Sequence, residues 1–154
     1  MEKPKFLADE MLGRLAKWLR LLGYDTKYVS GIPDSKVLEL AESEGRIILT
    51  RDTLLIRRRR CRNYIFVRDD HWRRQLRQVY AEAKLNLDSA LTMCAVCNRP
   101  LRPVDKHSVR VLAPQYVYAT QEEFSRCANC SRIFWAATHT ESILAELVEL
   151  AEEP

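Results

Sequence analysis

No stretch of this 154-residue sequence stays apolar for the ~18 residues a membrane span needs. No cleavable apolar core follows the polar opening Met1 to Lys5, so no secretory leader is expected. Both absences point to a cytoplasmic protein. Cysteine is scarce, five in all, and in a reducing compartment five thiols are metal ligands sooner than disulfides. Bases are missing after His139, where Glu141, Glu146, Glu149, Glu152 and Glu153 stand unopposed. Of 21 acids, 16 therefore remain before that point against all 25 bases, a net +9. A body so basic suits an anionic partner, nucleic acid first, although solubility alone would also account for the charge.

With 47% hydrophobic and 30% charged residues the balance is that of a globular domain with a real core. Phe6-Leu7-Ala8 is a short apolar run closing on Asp9 and reads as a first strand. Leu12, Leu15, Leu19 and Leu22 then recur at helical spacing until Gly23 stops the helix. Asp25 to Val29 alternates as a second strand, and Gly31-Ile32-Pro33 turns the chain. Asp34 or Ser35 is the expected cap of a helix bearing Val37, Leu38, Leu40 and Ala41. Gly45 ends that helix, and Arg46 to Thr50 is a β-branched third strand. Leu54 to Ile56 reads as helix and Tyr64 to Val67 as a fourth strand. Gln75 to Leu87 is a helix with Leu76, Val79, Tyr80, Ala83 and Leu87 on its apolar stripe and Trp72 as its anchor to the sheet. Strand and helix alternate four times, which argues for a mostly parallel sheet with helices on both faces.

From Met93 the chain changes character. Cys94-Ala-Val-Cys97 and Cys127-Ala-Asn-Cys130 are two C-x-x-C pairs. Each fits a tight knuckle, and four thiolates in a tetrahedron suit Zn²⁺. A Cys₄ set leaves no open coordination position, so this zinc is expected to be structural. The runs Val109 to Leu112, Tyr116 to Tyr118 and Ile133 to Trp135 read as strands of a zinc ribbon. His139 follows the last of them. Thr138-x-x-Glu141 fits a capping box, opening a helix with Ile143, Leu144, Leu147 and Leu150 that packs back on the body. Three segments result: 1–90 as the main domain, 91–139 as the ribbon and 140–154 as the closing helix.

Asp9 and Asp52 fall at strand ends and Asp34 at a helix start. Ligands collect outside the carboxyl ends of parallel strands, although Asp52 is also a natural cap for the helix after it and Asp34 for its own. Three converging carboxylates repel unless a cation neutralises them. Oxygen donors select hard metals, Mg²⁺ or Mn²⁺, which can activate water in phosphodiester hydrolysis. Asp69 or Asp70, after the fourth strand, is a candidate fourth acid. Arg14 and Lys17 lie beside Asp9. Arg51 and the run Arg57-Arg58-Arg59-Arg60 follow the third strand. Such bases grip phosphate backbone, or are simply solvated.

These residues carry a resemblance. The segment Phe6 to Asp25, with its Asp9-Glu-Met-Leu-Gly-Arg-Leu-Ala-Lys core, resembles the opening of the Mut-seven C-terminal RNase domain family. Gly45-Arg-Ile-Ile-Leu-Thr-Arg-Asp52 resembles its second signature, and the C-x-x-C pairs resemble its zinc ribbon. The family is similar to PIN-domain nucleases. The resemblance therefore implies a PIN-like three-layer α/β/α sandwich, a metal-dependent ribonuclease activity and RNA as substrate. It also implies that Asp9, Asp34 and Asp52 hold the catalytic Mg²⁺ or Mn²⁺. Thr53 and Leu54 follow Asp52, where related sequences often carry a second acid. That keeps two alternatives open: a non-catalytic RNA-binding module, and a zinc-stabilised protein-interaction domain docking through its acidic last helix.

Overall fold

The computed structural model describes residues 2–152. Met1, Glu153 and Pro154, the outermost residues of the first and last segments, lie outside the described residues. Four strands form one sheet in the order β2-β1-β3-β4, every pairing parallel. They are β1 (Lys5–Ala8), β2 (Thr26–Tyr28), β3 (Arg46–Thr50) and β4 (Tyr64–Phe66). Between and after them lie α1 (Gly13–Leu21), α2 (Asp34–Glu44), α3 (Thr53–Ile56) and α4 (Trp72–Glu82).

Strand side chains alternate between faces, and that alternation makes the layers. Phe6, Ala8, Leu49 and Val67 point one way, onto Leu15, Leu19, Leu76 and Val79 of α1 and α4. Leu7 and Ile48 point the other way, onto Val37, Leu38, Ala41 and Leu55 of α2 and α3. The result is the expected α/β/α sandwich. Burying each large apolar side chain contributes roughly 2 kcal/mol, so the register of the strands is fixed from both faces. Cys61 sits in the second cluster as a small core residue, and burial pushes its thiol pKa up.

The closing helix α6 (Thr138–Glu152) puts Ile143 and Leu147 into the same cluster as α1 and α4. Its first residue is Thr138, and Glu141 N donates to Ala137 O at 2.9 Å. Thr138 is therefore inside the first turn and not its cap. Asp34 likewise does not cap α2: Pro33 holds that position and no side chain caps it. The Gln75 to Leu87 helix is shifted. It begins at Trp72, where His71 accepts from Arg73 N, and ends at Glu82 before Lys84 turns through a positive φ of 54°. Trp72 stacks on Trp18, with ring centroids 5.0 Å apart and planes 5° from parallel, against the cluster that α1 and α4 share with the sheet.

The second sheet has the antiparallel order β5-β6-β7, built from β5 (Leu101–Val104), β6 (Phe124–Cys127) and β7 (Ile133–Phe134). Two of the three expected ribbon strands are not strands. Lys106–Val109 is a 3₁₀ turn capped by Asp105, and Tyr116 to Tyr118 lies within α5 (Gln115–Thr120). The apolar residues there that become buried are Val109, Ala113 and Val117, spaced by four and packed on Phe124. Four is a helical interval, not the two of a strand. Strand β5 has no strand-like pattern in the sequence because Pro103 interrupts it, and an edge strand tolerates that proline.

Candidate functional site

Because β1, β3 and β4 are parallel, Asp9, Asp52 and Asp69 all leave the sheet at its carboxyl edge. α2 follows β2, so Asp34 starts its helix at that edge too. Thr50, fully buried at the end of β3, ties two of these acids together. Its hydroxyl donates to Asp9 Oδ2 at 2.9 Å and accepts from Asp52 N at 2.9 Å. Asp52 is also the cap of α3, its Oδ1 accepting from Leu54 N at 2.8 Å and Leu55 N at 3.3 Å. Asp34 takes a different partner, the Arg58 guanidinium at 3.6 Å. Asp69 accepts from His71 N at 2.8 Å and faces Arg74 at 3.6 Å. Those contacts, the His71 amide first, hold its carboxyl below the usual range.

Thr50 and Glu10 are the two edge residues that sequence reasoning missed. Glu10 follows Asp9 and its Oε1 accepts from Gly31 N, which ties the β2–α2 turn down beside the acids. The acid pair Asp9-Glu10 was the available signal. Among the described residues, no three acids bring ligand oxygens within 4.8 Å of one another. Thr50 links the Asp9 carboxylate to the Asp52 backbone amide, and Asp34 pairs with Arg58.

The expected backbone-gripping bases divide. Arg51 donates to Val67 O at 3.2 Å and so braces the edge. Arg14 lies over the Trp72 ring at 4.9 Å. Arg58 and Arg60 pair with Asp34 and Glu42. Lys17, Arg57 and Arg59 are exposed and have no ion pair among the described residues. His139 is edge-on to Trp18 at 5.5 Å and to Trp72 at 6.2 Å, so it packs on the aromatic pair.

The sulfurs of Cys94, Cys97, Cys127 and Cys130 all lie within 4.8 Å of one another. Cys94 Sγ and Cys130 Sγ are 3.7 Å apart; ligands about 2.3 Å from a tetrahedral zinc would be about 3.8 Å apart. The two knuckles have the same backbone. Cys94 N donates to Arg99 O at 2.7 Å and Cys127 N to Arg132 O at 3.0 Å. The residue after each second cysteine, Asn98 or Ser131, takes a positive φ of 58° or 65°. Cys97 N donates to Cys94 Sγ at 3.3 Å and Asn129 Nδ2 to Cys97 Sγ at 3.2 Å. Burial pushes the Cys94 thiol up to about 11, while the Arg132 backbone amide draws Cys130 down to about 6. Four sulfurs this close, with amides aimed at them, fit a metal ion such as zinc.

The first knuckle is hooked onto the main sheet. Arg20 on α1 donates to Thr26 O at 2.8 Å and to Ala95 O, between the two cysteines, at 2.9 Å. Asn98 accepts from Thr26 N at 2.9 Å and donates to Asp25 Oδ1 at 2.6 Å. Arg46, almost fully buried, completes the junction at 2.9 Å from the same Asp25 oxygen. Burial raises the Asp25 pKa, but the Arg46 and Asn98 hydrogen bonds outweigh it and the net direction is down.

Among the described residues no helix is long and apolar enough to cross a membrane. A family model described as the Mut7-C RNAse domain matches residues 4–147. No curated protein and no solved structure gives a significant match.

Proposed function

The chain belongs to the Mut7-C RNAse domain family, and from that premise we propose that it hydrolyses RNA phosphodiester bonds at the carboxyl edge of the parallel sheet. The observation that carries this reading is the Asp9–Thr50–Asp52 link at adjacent strand ends. Mg²⁺ and Mn²⁺ commonly take one or two protein carboxylates and leave the remaining positions to water and phosphate. Asp9 and Asp52 supply that number, with Asp34 and Asp69 as the flanking acids. When bound, such a cation lowers the pKa of a water and neutralises charge on the phosphate.

The chain's own residues do the rest. Thr50 holds one oxygen of Asp9 and leaves the other free to turn outward. Arg58 fixes Asp34 at the start of α2. Arg14, Lys17, Arg51 and Arg57 to Arg59 would present positive charge to the strand near the acids, with Arg60 farther along α2 beside Glu42. In-line displacement would leave a 5′-phosphate and a 3′-hydroxyl. Residues 1–90 carry the nuclease body, 91–139 the ribbon with structural zinc and a second RNA contact, and 140–154 the closing helix. All five cysteines are free of disulfides, and we place the protein in the cytoplasm, where thiols persist.

A second reading is favoured by one observation. Asp52 Oδ1 is engaged in capping α3, and among the described residues no three acids gather their oxygens. On that reading the fold binds RNA without cutting it. The two are separated by stripping the protein of divalent cations and adding back Mn²⁺ with short single-stranded RNA. Restored cleavage with 5′-phosphate ends supports the nuclease. RNA binding with no cleavage under any divalent cation supports the non-catalytic module.

A further inference from the structure

α2 runs from the carboxyl edge to the amino edge of the sheet, and the α3–β4 connection runs beside it in the same direction. Three contacts fix that alignment. Arg58 pairs with Asp34 in the first turn of α2, at 3.6 Å. Arg60 pairs with Glu42 near its end, at 2.9 Å. Arg62 and Asn63 then border a cavity of about 340 Å³ with Gly45, just past the helix. The arginines thus follow α2 for about 12 Å, the rise of the eight residues from Asp34 to Glu42. This track leads from the candidate active site to a cavity at the opposite edge.

The cavity has two kinds of wall. Its floor is formed by Leu38, Ala41 and Ile48, the outer layer of the α2 face of the core, each at most 6% exposed. Its rim carries the exposed guanidiniums of Arg60 and Arg62. Arg62 has no ion pair among the described residues. The Arg60–Glu42 pair is exposed on both sides, 58% and 68%, so it is weak and an incoming anion can replace it. An apolar slot bounded by planar bidentate donors suits a group that is flat and apolar at one end and phosphorylated at the other.

We propose that this cavity binds one nucleoside monophosphate unit, its phosphate on Arg60 and Arg62 and its base on the Leu38–Ala41–Ile48 floor. The unit can be a free nucleotide or one residue of an RNA strand that has followed the arginine track. Only the strand source rests on the ribonuclease reading; the nucleotide chemistry does not.

The test is calorimetric titration of the full chain with AMP, adenosine and inorganic phosphate. AMP is expected to bind at least about tenfold more tightly than either fragment. Arg62→Glu should weaken AMP about tenfold or more, and Arg62→Lys less. Glu42→Gln frees Arg60 and should tighten AMP severalfold, a change that no general loss of folding produces. Absence of AMP binding, equal binding of phosphate and AMP, or an Arg62→Glu variant with unchanged affinity would each overturn the proposal. Repeating the titration with Asp9→Asn and an RNA of about eight nucleotides distinguishes the sources. Weakening of that RNA by Arg62→Glu assigns the cavity to the strand. Weakening of AMP alone assigns it to free nucleotides. AMP binding that survives where cleavage fails leaves this proposal standing and removes only the nuclease.

Discussion

The Thr50 hydroxyl lies 2.9 Å from Asp9 Oδ2, so a buried residue of β3 orients the carboxylate at the end of β1. The same hydroxyl accepts from the backbone of Asp52. Removing it leaves two polar groups without their partner. Thr50→Val should cost about 2 kcal/mol of stability and lower RNA cleavage at least about tenfold. Thr50→Ser keeps the bonds and should retain most of the activity. Thermal melts and initial rates on the same preparations check both.

The four clustered sulfurs lead to an expectation of one zinc per chain, measured by metal analysis. Cys127→Ser should abolish it and lower Tm by about 10 °C or more. Cys61→Ala should leave the zinc content unchanged, because Cys61 lies in the α2 cluster away from the knuckles.

The junction of Asp25 with Arg46 and Asn98 sets an acid limit on stability. Against the cost of burial, these hydrogen bonds hold the folded-state pKa of Asp25 below its ordinary 3.8. Glu44 is also drawn below its ordinary 4.5, by Lys27 first and then Arg46. A depressed carboxyl pKa contributes stability above the unfolded value, and that stability is lost as pH falls through the folded one. Tm should therefore drop from about pH 4.5 downward. Asp25→Asn should be less stable at pH 7 and show a shallower drop.

Two left-handed glycines should respond unequally to alanine. A Cβ on Gly23, at φ 92°, would lie 2.1 Å from Ser89 O. The loop before the ribbon must then move, and a loss of about 3 kcal/mol or more is expected. A Cβ on Gly45, at φ 64°, would meet nothing within 4 Å, so only the backbone cost of about 1 kcal/mol applies. Chemical denaturation of the two variants measures the difference.

Charge on the arginine run should appear as salt dependence. Arg57 and Arg59 are exposed and free of ion pairs among the described residues. Each change to alanine should reduce the slope of log affinity against log salt by about 0.7, the increment for one contact to a single-stranded phosphate.

The sandwich was legible because its strands are short apolar runs separated by helices with an unbroken three- and four-residue period. Gly23 and Gly45 marked both stops correctly, and the spacing of the cysteines disclosed the knuckles. The ribbon's interior was not legible. Val109 to Leu112 is rich in β-branched and aliphatic residues, yet it curls because Asp105 and Pro114 start helical turns on either side. At the candidate site, side-chain partners were out of reach of any pattern. Nothing in the order of residues says that Thr50 would bridge Asp9 and Asp52, or that Arg58 would take Asp34. Those contacts depend on strand register and on the path of the α3–β4 connection, which exist only in the folded chain.

In the proposed mechanism Asp9 holds the cation that RNA cleavage requires. Initial cleavage rates of a short single-stranded RNA, with saturating Mn²⁺, should fall at least about a hundredfold from wild type to Asp9→Asn, with RNA affinity and Tm little changed. Equal rates for the two proteins would remove Asp9 from the mechanism.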